Sequence, residues 1–127
     1  MNLSGKAVKY WMDKEKIPLE NIMVIVDEVA LPLDRLRLRP GGSDGGHNGL
    51  RSIQELLGTQ DYPRLRFGIG NNFPKGMQSE FVLGKWQKEE EPLVKLKIEK
   101  SVEVIENLAS RGIHAAMNEV NNKKFSL

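Results

Sequence analysis

No cysteine occurs among the 127 residues, which excludes a disulfide framework and every zinc or redox site built on thiolates. Histidine is nearly as scarce. His47 and His114 lack the spacing of a ligand pair, so no metal cofactor is expected. No apolar run approaches the roughly 20 residues needed to cross a bilayer, and the N-terminus lacks the apolar core of a signal peptide. A cytoplasmic chain without membrane attachment is the expectation. Charge of one sign is also in short supply. The net charge is only +2, so affinity for nucleic acid must come from where the charges sit rather than from their sum. At this length one domain with a single modest core is expected.

What is present reads as α/β. "LSGKAVKYWMDKEKI" predicts a first helix, with Ser4 as N-cap, Ala7, Val8, Trp11 and Met12 on one face, and Pro18 ending it. "NIMVIVD", residues 21–27, is a continuous β-branched apolar run that stops at an acid, the pattern of a fully buried strand. "RLRLR", residues 35–39, alternates strictly, placing Leu36 and Leu38 toward a core and Arg35, Arg37 and Arg39 on the other face. After the glycine-rich "GGSDGGHNGL" comes a short helix through Leu50, Ile53, Leu56 and Leu57, closed by Gly58. "RLRFGIG", residues 64–70, is a third strand, with Arg64 and Arg66 on one parity. A long helix from about Gln87 to Gly112 is expected to bury Leu93, Ile98, Val102, Ile105 and Leu108. A short helix "IHAAMNEV" and a frayed polar tail complete the chain. This order predicts a mixed, largely parallel twisted sheet flanked by helices. Only one strand looks fully buried and the chain opens almost directly on a helix, as though the sheet lacked a first strand.

Several residues could carry chemistry. Asp27 sits at the carboxyl end of a strand, the edge where open α/β sheets collect ligands. It could orient a histidine as a triad acid does, or be a turn residue with Glu28 beside it. Asn48, at a helix start, could donate its amide to an oxyanion or serve as a plain N-cap. His47 could be a general base, but a loop histidine bonded to backbone is favoured. His114 reads as structural or surface. The loop lacks the Gly-Lys-Ser/Thr ending of a P-loop, and neither Ser4 nor Ser43 has the context of a nucleophile. Arg37, Arg39, Arg64 and Arg66 lie on strands flanking the glycine loop, with Arg51 in the next helix. Such a cluster suits a phosphate-bearing ligand; on charge alone, a solvated sheet face is the slightly better reading.

The blocks "MNLSGKAV", "VDEVALPLDRLRLRPGGSDGGHNGLRSI", "YPRLRFGIG" and "FVLGKW" occur in an order and spacing that resemble bacterial peptidyl-tRNA hydrolases, from Met1 to about residue 121. The resemblance implies a monomeric α/β enzyme. It also implies hydrolysis, without a metal or other cofactor, of the ester between peptide and tRNA, recycling tRNA during translation. By the family pattern Asp27 matches the acid that serves the catalytic histidine. Asn2 and Asn48 match asparagines that bind the peptide and the 3′-terminal region, and Arg39 and Arg66 match phosphate contacts to tRNA. The resemblance also implies a further segment before "MNLSG", holding the first strand, another asparagine and the catalytic histidine. Neither His47 nor His114 aligns with that histidine. Residues 1–127 are therefore expected to be a single, N-terminally truncated hydrolase-like domain of impaired activity. The alternative is a non-catalytic RNA-binding remnant.

Overall fold

In the computed structural model, which describes residues 3–127, three strands and five α-helices follow in the order α1 (Ser4–Glu15), β1 (Val24–Glu28), β2 (Leu36–Arg39), α2 (Asn48–Leu57), β3 (Arg64–Gly68), α3 (Gln78–Leu83), α4 (Glu91–Arg111) and α5 (Ile113–Val120). The strands pair in the order β1-β3-β2. The Val24 N–H donates to the Pro63 carbonyl where β1 begins, and the Ile69 N–H donates to the Glu28 carbonyl where it ends. Both strands advance together, so they are parallel. The Gly68 N–H donates to the Arg35 carbonyl, and the Gly42 N–H to the Gln60 carbonyl; these partners run in opposite directions, so β2 is antiparallel to β3. The result is a small mixed sheet flanked by helices, as the sequence order predicts. The chain divides into two compact units. One holds the described residues up to Val26 with Arg39–Arg64, the other Asp27–Leu38 with Leu65–Leu127.

In the first unit α1 and α2 pack through a glycine. A Cβ on Gly5 would lie 2.1 Å from the Ser52 carbonyl oxygen, so only glycine allows the two backbones to meet. The first turn of α1 has Leu3, not Ser4, at its N-cap, and no side chain of its own caps it. Instead the Gly5 N–H donates to Ser52 Oγ of α2 at 2.9 Å, which satisfies one of the amides a helix start leaves open. The N-cap expected at Ser4 is therefore corrected, because the cap comes from the neighbouring helix. The inner face of α1 is also narrower than expected. Val8 and Met12 are half-buried while Ala7 and Trp11 are exposed, and Trp11 lies edge-on to Tyr10 with Lys14 over its ring. Leu50, Ile53 and Tyr62 form the core, with Val8, Leu19, Ile22, Val24, Val26 and Leu57 against it.

Two further expectations are corrected by where the strands and α4 lie. β1 is not fully buried: Ile25 is 47 % exposed, because β1 is a terminal strand of the three-stranded order. In the second unit the buried face of α4 is Val94, Lys97, Ser101 and Val104, whereas Ile98, Val102 and Ile105 are exposed. An apolar count points to the wrong stripe because a lysine occupies the inner one. The Lys97 ammonium donates to the Leu33 carbonyl at 2.5 Å and the Gly68 carbonyl at 2.6 Å, over the Phe67 ring. Its methylenes fill the core while its head finds backbone acceptors. The C-terminal tail is docked rather than frayed. The Asn121 side-chain amide donates to the Leu38 carbonyl and its Oδ1 accepts the Leu38 N–H. Phe125 is buried, and its N–H donates to the Asp34 carbonyl.

Burial pulls the Lys97 amine down from 10.5 to about 8, against the opposing pull of Asp34. With the folded value below the unfolded one, the unfolded chain binds more protons between these limits, so stability rises with pH across that window. The rise from this group is at most about 3 kcal/mol. Denaturant unfolding of the wild type and Lys97→Met between pH 7 and 10.5 checks this. The difference between them is expected to change in the wild type's favour by up to that amount from pH 8 upward. Parallel profiles would contradict it.

Candidate functional site

In the first unit the loop joining β2 to α2 is held from below by an arginine. Arg64 is 1 % exposed and packs over the Tyr62 ring. Its Nη2 donates to the Gln60 carbonyl at 2.6 Å and its Nη1 to the Ser43 carbonyl at 3.3 Å. Arg64 is therefore a clamp on the glycine loop rather than a member of a ligand-facing cluster. The alternating strand pattern cannot reveal this, because parity gives a face and not its partner. Within the loop Gly42, Gly45 and Gly46 all have positive φ, which side chains disfavour. Asp44 accepts the Gly46 N–H through Oδ1 and the His47 N–H through its carbonyl. The loop is thus a shaped turn that delivers His47 to the start of α2.

His47, not Asn48, is the N-cap of α2: its Nδ1 accepts the Leu50 N–H at 3.2 Å. This corrects the N-cap reading of Asn48 and bears out the backbone-bonded reading of His47. Asn48 is the first residue of the helix and is exposed. Its amide is consequently not required for capping. Arg39 closes β2 and is half-buried, so Arg39 and Asn48 bracket the glycine loop at its two ends. Asn2, the other asparagine singled out from the sequence, lies outside the described residues.

In the second unit Asp27 occupies the penultimate position of β1. It lines a cavity of about 300 Å³ shared with Ile69, Asn72, Phe81, Lys85 and Trp86. Phe81 stacks on Phe73 at 5.0 Å between ring centroids, and Trp86 leans on Phe67 at 6.3 Å. The carboxylate thus stands at the carboxyl edge of the sheet beside a space large enough for a small group. The next residue, Glu28, faces Arg66 of β3: Nη1 donates to Oε1 at 2.7 Å, with both side chains mostly out of solvent. Residues 72–90 supply most of the cavity through α3 and the turn that leads from it into α4; the sequence pattern assigns no element to 77–86. The available signal is the "FVLGKW" block. His114 is exposed on α5, and neither histidine lines the cavity. Among the described residues no three His, Cys, Asp or Glu side chains come together as a ligand set, and no helix is long and apolar enough to cross a membrane.

A family model described as peptidyl-tRNA hydrolase matches residues 1–127. The chain belongs to the peptidyl-tRNA hydrolase family. The match reaches the last residue and so corrects the expectation that it fades near residue 121. A relative from Parabacteroides distasonis, named peptidyl-tRNA hydrolase, is 53 % identical over 97 % of this chain and 66 % of its own length. One of the same name from Cytophaga hutchinsonii is 48 % identical over 98 % of this chain and 66 % of its own. The crystal structure of peptidyl-tRNA hydrolase from Acinetobacter baumannii superposes with a TM-score of 0.87 at 35 % identity. That alignment covers 98 % of this chain and 63 % of that one. The chain therefore spans slightly less than two thirds of the length of these family members.

Proposed function

We propose that the protein hydrolyses the ester joining a peptide to tRNA. The observation that carries this reading is the family match along all 127 residues, with the family's acid position, Asp27, lining a cavity at the strand edge. In the reaction a general base takes a proton from water and the water oxygen attacks the ester carbonyl. The bond to the ribose oxygen then breaks, and that oxygen takes up the proton. Asp27 holds the imidazole that serves as base and stabilises it when protonated. Asn2 and Asn48 donate amide hydrogens to the substrate's peptide and 3′-terminal region, one of them to the developing oxyanion. Arg39 and Arg66 meet phosphates of the tRNA, Arg as a planar fork rather than a point charge. No metal takes part, and the working unit is a monomer.

The base itself is left without an owner among the described residues. His47 spends Nδ1 on the cap of α2, and His114 lies exposed on α5. We assign neither the role of base. The 127 residues alone are therefore expected to release peptide slowly, short by roughly the 10²–10⁴-fold that general-base assistance supplies. The test is release of blocked amino acid from N-acetyl-aminoacyl-tRNA by the purified chain, with and without free imidazole. Slow release that imidazole accelerates is expected. Turnover at the rate of a full-length family member without imidazole contradicts the assignment of the base. Absence of release at any imidazole concentration, where that family member is active, contradicts the hydrolase reading.

A further inference from the structure

Glu28 is the one charged neighbour of Asp27 along β1, and both of its carboxylate oxygens are committed. Oε1 accepts from Arg66 Nη1 at 2.7 Å. Oε2 accepts the Ala30 N–H at 3.1 Å, within its own turn. The two side chains are only 20 % and 14 % exposed. An exposed ion pair contributes little, because water screens it and two long side chains must be ordered to form it. This pair differs on both counts: it is largely shielded, and the turn already orders its acidic end. A guanidinium is planar, so fixing the direction of one N–H fixes the direction of the whole fork.

We propose that Glu28 is a positioning residue that aims Arg66 at a phosphate of the bound tRNA. The proposal rests on the reading of Arg66 as a phosphate contact. Charge alone would make Glu28 a hindrance, since a carboxylate beside a phosphate site repels the ligand. Its removal should then tighten binding. Positioning has the opposite sign, because an Arg66 released from its guide meets the phosphate with poorer geometry although the site has become more positive. The two roles of the side chain are therefore separable by the direction of one change.

The experiment is fluorescence anisotropy of labelled deacylated tRNA with the 127-residue chain over a series of KCl concentrations. Glu28→Ala is expected to weaken binding about tenfold, as loss of one charge-assisted contact does. Arg66→Ala is expected to do the same and to lower the dependence of log Kd on log salt by about one. The double variant is expected to bind no more weakly than Arg66→Ala alone, because both changes remove one contact. Glu28→Gln keeps one acceptor oxygen for Arg66 but turns an NH2 toward the Ala30 N–H, and should bind between the wild type and alanine, whereas Glu28→Asp keeps the charge but is too short to reach both partners and should resemble alanine. If Glu28→Ala does not fold, as judged by its thermal melt, the glutamine and aspartate pair decides the matter. Wild-type or tighter binding by Glu28→Ala or Glu28→Asp, with Arg66→Ala weakened, overturns the positioning role alone. Unchanged binding by Arg66→Ala overturns the phosphate reading and the proposal with it.

Discussion

Gly5→Ala is expected to destabilise the protein by about 3 kcal/mol or more, near or above the upper end of what one added methyl costs a tight core. The added Cβ would sit 2.1 Å from the Ser52 carbonyl oxygen and 2.6 Å from its carbon. Both are backbone atoms inside α2, so no rotamer change can relieve the clash and the helices must separate. Separation also stretches the hydrogen bond from the Gly5 N–H to Ser52 Oγ, leaving a helix-start amide without its partner in a buried place. The small gain in helix propensity from glycine to alanine, about 1 kcal/mol, does not offset these losses. Thermal unfolding followed by circular dichroism should show a midpoint lower by on the order of 10 °C. A midpoint within a degree or two of the wild type would show that α1 and α2 do not need this close approach. Ser52→Ala removes the hydrogen bond without the clash and should cost only about 1 kcal/mol, which separates the two contributions.

Much of the fold is legible in the sequence where one periodicity dominates. β2 needs only its alternation, and Leu36 and Leu38 are both buried. α5 has the bounds read from "IHAAMNEV". α2 is closed by Gly58, which adopts the left-handed conformation at its C-cap. The reading fails where a polar residue takes a core position or where a partner is remote in sequence. Lys97 occupies the inner stripe of α4 because two carbonyls wait for its ammonium, and no local pattern announces them. Asn121 ties the tail to β2 across 83 positions of sequence, and Ser52 caps a helix 47 positions earlier. β1 looks central by composition, yet it is terminal among the described strands. Of the candidate site, the resemblance supplied the family, which the whole-chain match then established. It could not supply local hydrogen bonding: that His47 caps α2, that Arg64 clamps the glycine loop, and that Glu28 holds Arg66.

The second large effect concerns Asp27. In a polypeptide of the family members' full length, Asp27→Asn is expected to lower the rate of peptidyl-tRNA hydrolysis by roughly 10²–10⁴-fold. The substitution keeps the size and one acceptor oxygen of the side chain, so fold and tRNA affinity should persist. On the proposed reading it removes the negative charge that stabilises an imidazolium and fixes its tautomer, and so acts on the proton transfer itself. The loss should therefore fall on kcat rather than on KM. A fall in affinity with an unchanged rate would instead make Asp27 a substrate contact.

The same charge can be tested in the 127 residues alone, where Asp27 lines an open cavity with no histidine in its wall. The measurement is the imidazole-dependent rate of N-acetyl-aminoacyl-tRNA hydrolysis by the wild type and by Asp27→Asn, at equal tRNA occupancy. The expected result is a rate that rises with free imidazole in the wild type and is at least about tenfold less responsive in Asp27→Asn. An equal response in the two proteins would contradict the assignment of Asp27 as the carboxylate that holds the base.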